Sequence, residues 1–142
     1  MSDISPDVLE ALCKGFMAAV AASANPSFPH KLPGEVFDTI PQDQRYLEFI
    51  IIPNDTENEA WGDEKTYRGI IRLVLHWTVD SQGAYPPARY LKSVVDQLPK
   101  GKTFAAGAAL VKLTQTPTVQ GVLENGSELL FPATLAYSCN AP

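Results

Sequence analysis

The chain has 142 residues, 45% hydrophobic and 19% charged, which fits one soluble domain over residues 1–142 and leaves no room for a second core. Its net charge of -5 argues against a general nucleic-acid binder, which must neutralise phosphates with Lys and Arg, and against a peripheral protein of anionic membranes. Twelve prolines against nine glycines place the compositional excess in stiff extended segments.

The first predicted element is a helix over 5–22. Ser5 is placed to cap it, Pro6 suits the first helical position, and Asp7 and Glu10 complement the positive end of the dipole. Val8, Leu9, Leu12, Cys13, Phe16, Met17 and Val20 recur at three and four residues and predict one apolar face. Residues 11–24 imitate the apolar region of a secretory leader, but Asp3, Asp7 and Glu10 stand where a basic region belongs and Lys14 interrupts the run. No stretch approaches the roughly 18 apolar residues of a membrane span. Asn25-Pro26 should end the helix, because a residue before proline is pushed out of the α region.

Residues 23–45 carry Pro26, Pro29, Pro33 and Pro41, and within them only Glu35 to Ile40 suits a short strand. A connection of this length in a small domain suggests a binding role or a path over a neighbour. Tyr46 to Ile52 is the next strand, ended by Pro53. A polar loop over 54–65 then gathers Asp55, Glu57, Glu59, Asp63 and Glu64 around Trp61.

From Tyr67 to Val79 the odd positions are apolar apart from Gly69, and the even ones alternate Arg68, Ile70, Arg72, Val74, His76 and Thr78. That period of two predicts a strand with one core face and one mixed face, paired with Tyr46 to Ile52 in a long β-hairpin whose tip is the acidic loop. Pro86-Pro87 opens a second helix over 88–98, with Leu91, Val94, Val95 and Leu98 as its buried stripe and Pro99-Lys100-Gly101 as its end. Strands are predicted over 108–114, 118–123 and 128–139, with Asn125-Gly126 as the turn before the last. The sum is an α+β fold: a mixed, mostly antiparallel sheet with a long hairpin and two helices packed on one face.

Charge divides along the chain. Residues 1–64 hold twelve Asp and Glu against three Lys and Arg, a net of -9; residues 65–142 hold four against eight, a net of +4. Either the halves interleave and the asymmetry vanishes in space, or one surface is acidic and another basic, and copies attract head to tail.

Candidate chemistry is thin. Cys13 and Cys139 form no CxxC pair and no disulfide framework, so a reducing compartment fits. The sequons at Asn54 and Asn125 carry no weight there. Both cysteines fall on predicted core faces, away from a Cys-His nucleophile arrangement. His30 and His76 have no further ligand at metal-binding spacing. Gly101-Lys102-Thr103 imitates the end of a phosphate loop, yet Asp96 stands where the earlier glycine belongs and a helix precedes it instead of a strand. No catalytic residue, cofactor or metal site is read from the sequence. For the acidic stretch three readings stand: a calcium loop, which lacks the glycine at its sixth and the glutamate at its twelfth position; a solvated tip; or a docking element, which Trp61 favours as a common hot-spot residue.

The run YLEFIIIPN, the acidic loop, YRGIIRLVLHW, the helix after Pro86-Pro87-Ala88-Arg89, GAALVKL, and PTVQGVLENGSELLFPATLAYSC together resemble the tail terminator family of long-tailed bacteriophages over residues 1–139. The resemblance lies in spacing and apolar pattern: a strand ending in Pro53-Asn54, Gly69 after an aromatic-basic pair, and a closing strand with Pro132 and Tyr137. It implies a structural virion protein assembled in the host cytoplasm, a homo-oligomeric ring, typically a hexamer, on the head-proximal end of the tail tube. Its partners would be the tail tube protein and a head-completion or neck protein, with DNA passing through the lumen and no specific nucleic-acid or membrane binding. The family supplies no catalytic residues and no interface motif. Charge and exposure alone nominate Asp55, Glu57, Glu59 and Trp61 against Arg68, Arg72, Arg89 and Lys92 of an adjacent copy. Another neck or stopper protein of the same particle is an open alternative. So is a small ligand-binding domain or enzyme, whose pocket would draw on Tyr85, Arg89, Tyr90 and His76.

Overall fold

A computed structural model describes residues 6–26, 28–33, 45–53, 57–58, 65–79, 83–107, 109–126 and 128–141. The first helix, α1, runs Pro6–Ala21 and buries Val8, Ala11, Leu12, Gly15, Phe16, Ala19 and Val20. Leu9 and Met17, expected on that face, are exposed, and Cys13 is only half-buried. The stripe that starts at Val8 recurs through small residues instead, so α1 lies close to the sheet. Its end is local chemistry: the Ser23 hydroxyl donates to the Val20 carbonyl at 2.6 Å, and Pro26 follows.

Strand β1 (His30–Lys31) pairs parallel with β2 (Tyr46–Pro53), the register joining His30 to Leu47. The strand expected within Glu35 to Ile40 lies outside the described residues, whereas β1 was not anticipated, since two residues carry no period. Phe28 fastens this part of the connection to the core. Its ring lies 4.3 Å from Tyr90 and 5.9 Å from Trp77, centroid to centroid. Residues 28–32 thus pack on their own domain, with Phe28 and Leu32 buried.

The sheet is built around two 14-residue strands, β4 (Lys65–Thr78) and β9 (Glu128–Ala141), paired antiparallel along their whole length. The order is β1-β2-β4-β9-β6-β5, with β5 at Thr103–Ala106 and β6 at Ala109–Leu113. Short strands β7 (Thr118–Val119) and β8 (Leu123–Asn125) add to β9, and β3 (Glu57–Asn58) adds to β4. The 54–65 stretch is therefore not all loop. β5 escaped the pattern because Ala105 and Ala106 have little strand propensity. The segment expected as one strand over 118–123 is split at Gly121, and both pieces pair with β9. The turn at Asn125-Gly126 stands, with Gly126 at φ 65, a left-handed conformation glycine adopts without penalty.

The second helix, α2, runs Tyr85–Val95, starting three residues earlier than expected. Pro86 and Pro87 sit inside its first turn, where a missing N–H costs nothing. Its buried face is Pro87, Tyr90, Leu91 and Val94; Leu98 is buried just beyond, and Val95 only partly. Both helices lie on one face of the sheet, here called inner. There Leu47 and Phe49 of β2, Ile71, Leu73 and Leu75 of β4, and Ala133, Leu135 and Tyr137 of β9 form the core with α1 and α2. Phe16 stacks on Phe49 at 4.4 Å, a contact worth about 1 kcal/mol beyond its area. Among the described residues no helix is long and apolar enough to cross a membrane.

Candidate assembly surface

The period of two that buries one side of β2, β4 and β9 turns the other residues of each strand outward. Register then fixes which of them are neighbours: Ile52, Ile70 and Ala136 form one row, Ile50, Arg72 and Thr134 the next, and Glu48, Val74 and Pro132 the third. Arg68 lies beside Ser138, which in turn lies beside Lys112 of β6. Arg68, Arg72 and Lys112 are exposed. The nominated cations therefore divide. Arg68 and Arg72 share the outer sheet face, while Arg89 and Lys92 are exposed on α2 across the sheet. Lys92 is bonded along its own helix to Asp96, at 3.1 Å. Of the nominated acidic set, Asp55, Glu59 and Trp61 lie outside the described residues, and Glu57 is placed as backbone in β3.

At the other end of the outer face His76 stands between two carboxylates. Its Nδ1 is 2.6 Å from Glu128 Oε1 and its Nε2 is 3.3 Å from Glu48 Oε1. The Tyr46 ring stacks on the imidazole at 4.1 Å, and Lys31 Nζ reaches Glu48 at 3.9 Å. In its neutral form the ring donates one N–H to a carboxylate; protonated, it donates to both. Burial first, then Glu48 and Glu128, push the Tyr46 phenol above its ordinary value, because its ionised form would add a third negative group. The expectation that His76 faces outward holds. Its partners escaped the sequence because they lie 28 and 52 positions away and only strand register brings them together. Among the described residues no group of three or more His, Cys, Asp or Glu is placed to hold a metal ion.

The residues proposed for an enzyme pocket do not converge. Tyr90 is buried with its hydroxyl 3.4 Å from Ser23 Oγ, Tyr85 is 77% exposed, and His76 is on the far side of the sheet. Cys139 is buried on the inner face, where burial pushes its thiol up and away from the thiolate. Neither it nor Cys13 is in a disulfide.

A family model described as phage tail terminator protein matches residues 7–137. A solved structure superposes with a TM-score of 0.70 at 20% identity, covering 92% of this chain and 91% of that one; at that identity it attests the fold. No curated protein matches the chain.

Proposed function

The chain belongs to the phage tail terminator family, and from that membership we propose that it forms a ring on the head-proximal end of the tail tube. As a structural protein of the phage tail it there ends addition of tube protein and offers the joint to the head-completion or neck protein. The observation that carries this reading is the family match across residues 7–137, nearly the whole chain. The division of charge along the chain, -9 over residues 1–64 and +4 over residues 65–142, is compatible with contacts between unlike patches, which give a ring where the rotation closes and a filament where it does not.

The test is to add purified protein to polymerising tail tube protein and to measure tube lengths by negative-stain electron microscopy. Capped ends and a shortened length distribution that tracks the amount added are the expected result. Tubes that grow to the same lengths with bare ends would sink the proposal. Binding to isolated neck protein without any effect on tube growth would place the chain one position further toward the head.

A further inference from the structure

No helix or strand among the described residues covers the outer face of the sheet, and its register sets two kinds of side chain beside each other. Ile52 and Ile70 are neighbours across β2 and β4, exposed at 42% and 41%, and Leu110 of β6 is exposed at 57%. Arg72 and Lys112, both exposed, stand within the same surface. Between these ridges β9 presents only short side chains, Thr134, Ala136 and Ser138, so the surface dips along it. A depression of about 350 Å³ opens where Ser138 meets Leu110 and Lys112. The carboxylates at the far end, Glu48 and Glu128, are turned to His76 and leave the Arg72 end cationic. Wet apolar side chains beside fixed cations and a low trough suit a partner that is acidic and carries an aromatic anchor.

The chain contains such a segment. Residues 54–64 hold Asp55, Glu57, Glu59, Asp63 and Glu64, no Lys or Arg, and Trp61. We propose that residues 54–64 of one copy dock on the outer sheet face of the next, its carboxylates meeting Arg72 and Lys112 and Trp61 covering the apolar trough. This inference rests on the ring reading above and names the surface by which copies join. Segment and face are different patches, so each copy gives one and receives one, which is the heterologous arrangement a closed ring requires. Arg89 and Lys92, on the opposite side, take no part.

Two variants test it, one with Arg72→Glu and Lys112→Glu, the other with Asp55→Lys, Glu57→Lys, Glu59→Lys and Asp63→Lys. Both are checked by circular dichroism for retained fold and by native mass spectrometry for assembly. The expected result is that the wild type assembles and that each variant alone needs at least about tenfold more protein to do so. An equimolar mixture of the two should recover assembly, because each variant's segment now matches the other's face. Recovery on mixing excludes pairing of segment and face within one chain, which mixing cannot restore. Variants that assemble like the wild type, or that are not rescued by mixing, overturn the docking surface and leave the ring reading standing. A wild type that stays monomeric at every concentration removes both.

Discussion

Tyr137 lies against Gly69, its register partner across β9 and β4: a methyl group placed on Gly69 would stand 2.7 Å from the phenol oxygen and 2.6 Å from the carbonyl oxygen of Ile52. The tyrosine is among the largest fully buried side chains of the protein. A strand glycine ordinarily weakens a sheet. Here it makes the space in which the biggest core residue of β9 packs, so the two positions act as one unit that ties the central strands to β2.

Gly69→Ala should therefore destabilise the protein by about 2–3 kcal/mol, although alanine is the better strand residue. The phenol can shift, but the Ile52 carbonyl is backbone held in the β2–β4 ladder and cannot retreat without breaking it. Adding Tyr137→Phe to Gly69→Ala should recover only part of the loss. Urea denaturation of the two single variants and the double variant measures the coupling; additive losses would show that the two side chains do not share the space.

Burial, with a smaller contribution from Cys139, pushes the Tyr137 phenol from 10.0 up to about 12. The folded state thus holds this proton more tightly than the unfolded chain does. Its contribution to stability is complete below pH 10 and is lost as the pH rises from 10 toward 12, because the unfolded chain ionises first. Tyr90 and Tyr46 are displaced in the same direction, in each case chiefly by burial. Thermal melts should fall over that window, and Tyr137→Phe should flatten the fall. At pH 7 the same variant should be near neutral or slightly stabilising, since the buried hydroxyl has no hydrogen-bond partner among the described residues. A loss above about 1 kcal/mol at pH 7 would mean that the hydroxyl is satisfied after all.

What was legible in the sequence follows from how period and register carry information. β4 and β9 were read with their inner faces correct because seven or so alternations in a row leave no other phase. α1 was read correctly in extent but not in its flank. Leu9 and Met17 satisfy the same spacing as Phe16, and only the close approach permitted by Gly15 and Ala19 decides which side turns inward. α2 begins ahead of the expected residue 88 because Pro86-Pro87, expected just before the helix, lies within its first turn, which accepts proline. The outer face was half legible. Alternation put Arg68, Arg72 and His76 on it, but Glu48 and Glu128, the partners of His76, come from other strands, and pairing across 28 to 52 positions is written in no local pattern.

The thiols offer a readout of local against global opening. Cys139 is 2% exposed on the inner face of β9, and burial raises its pKa; Cys13 is half-buried on α1. An aromatic disulfide reagent should modify Cys13 first and Cys139 only through unfolding of the central sheet. Mass-resolved labelling along a urea series should show Cys139 following the global transition, with Cys13 reacting below it. Equal rates at both sites in native buffer would place β9 among the easily opened parts of the fold.

Phe28 fastens the described part of the proline-rich connection, residues 28–33, to the core. It is 6% exposed between Tyr90 of α2 and Trp77 of β4, and just beyond it the Pro29 carbonyl accepts a hydrogen bond from the Leu47 amide at 3.0 Å. The ring thus holds three elements together: the connection, α2 and the end of the central sheet. Trp77 is also covered by Arg45, whose guanidinium carbon lies 4.4 Å from its ring, so both ends of the connection meet on the same indole. Phe28→Ala should cost about 3–4 kcal/mol, the loss of a buried aromatic and its contacts, while Phe28→Leu should cost less than half of that by filling most of the space. Intrinsic fluorescence should report the loss of Phe28 from the Trp77 face. Limited proteolysis should cut the alanine variant within 23–33 at protease levels that leave the wild type intact. If the alanine variant melts like the wild type and resists cleavage, then β1 alone holds the connection, and the Phe28 stack contributes little.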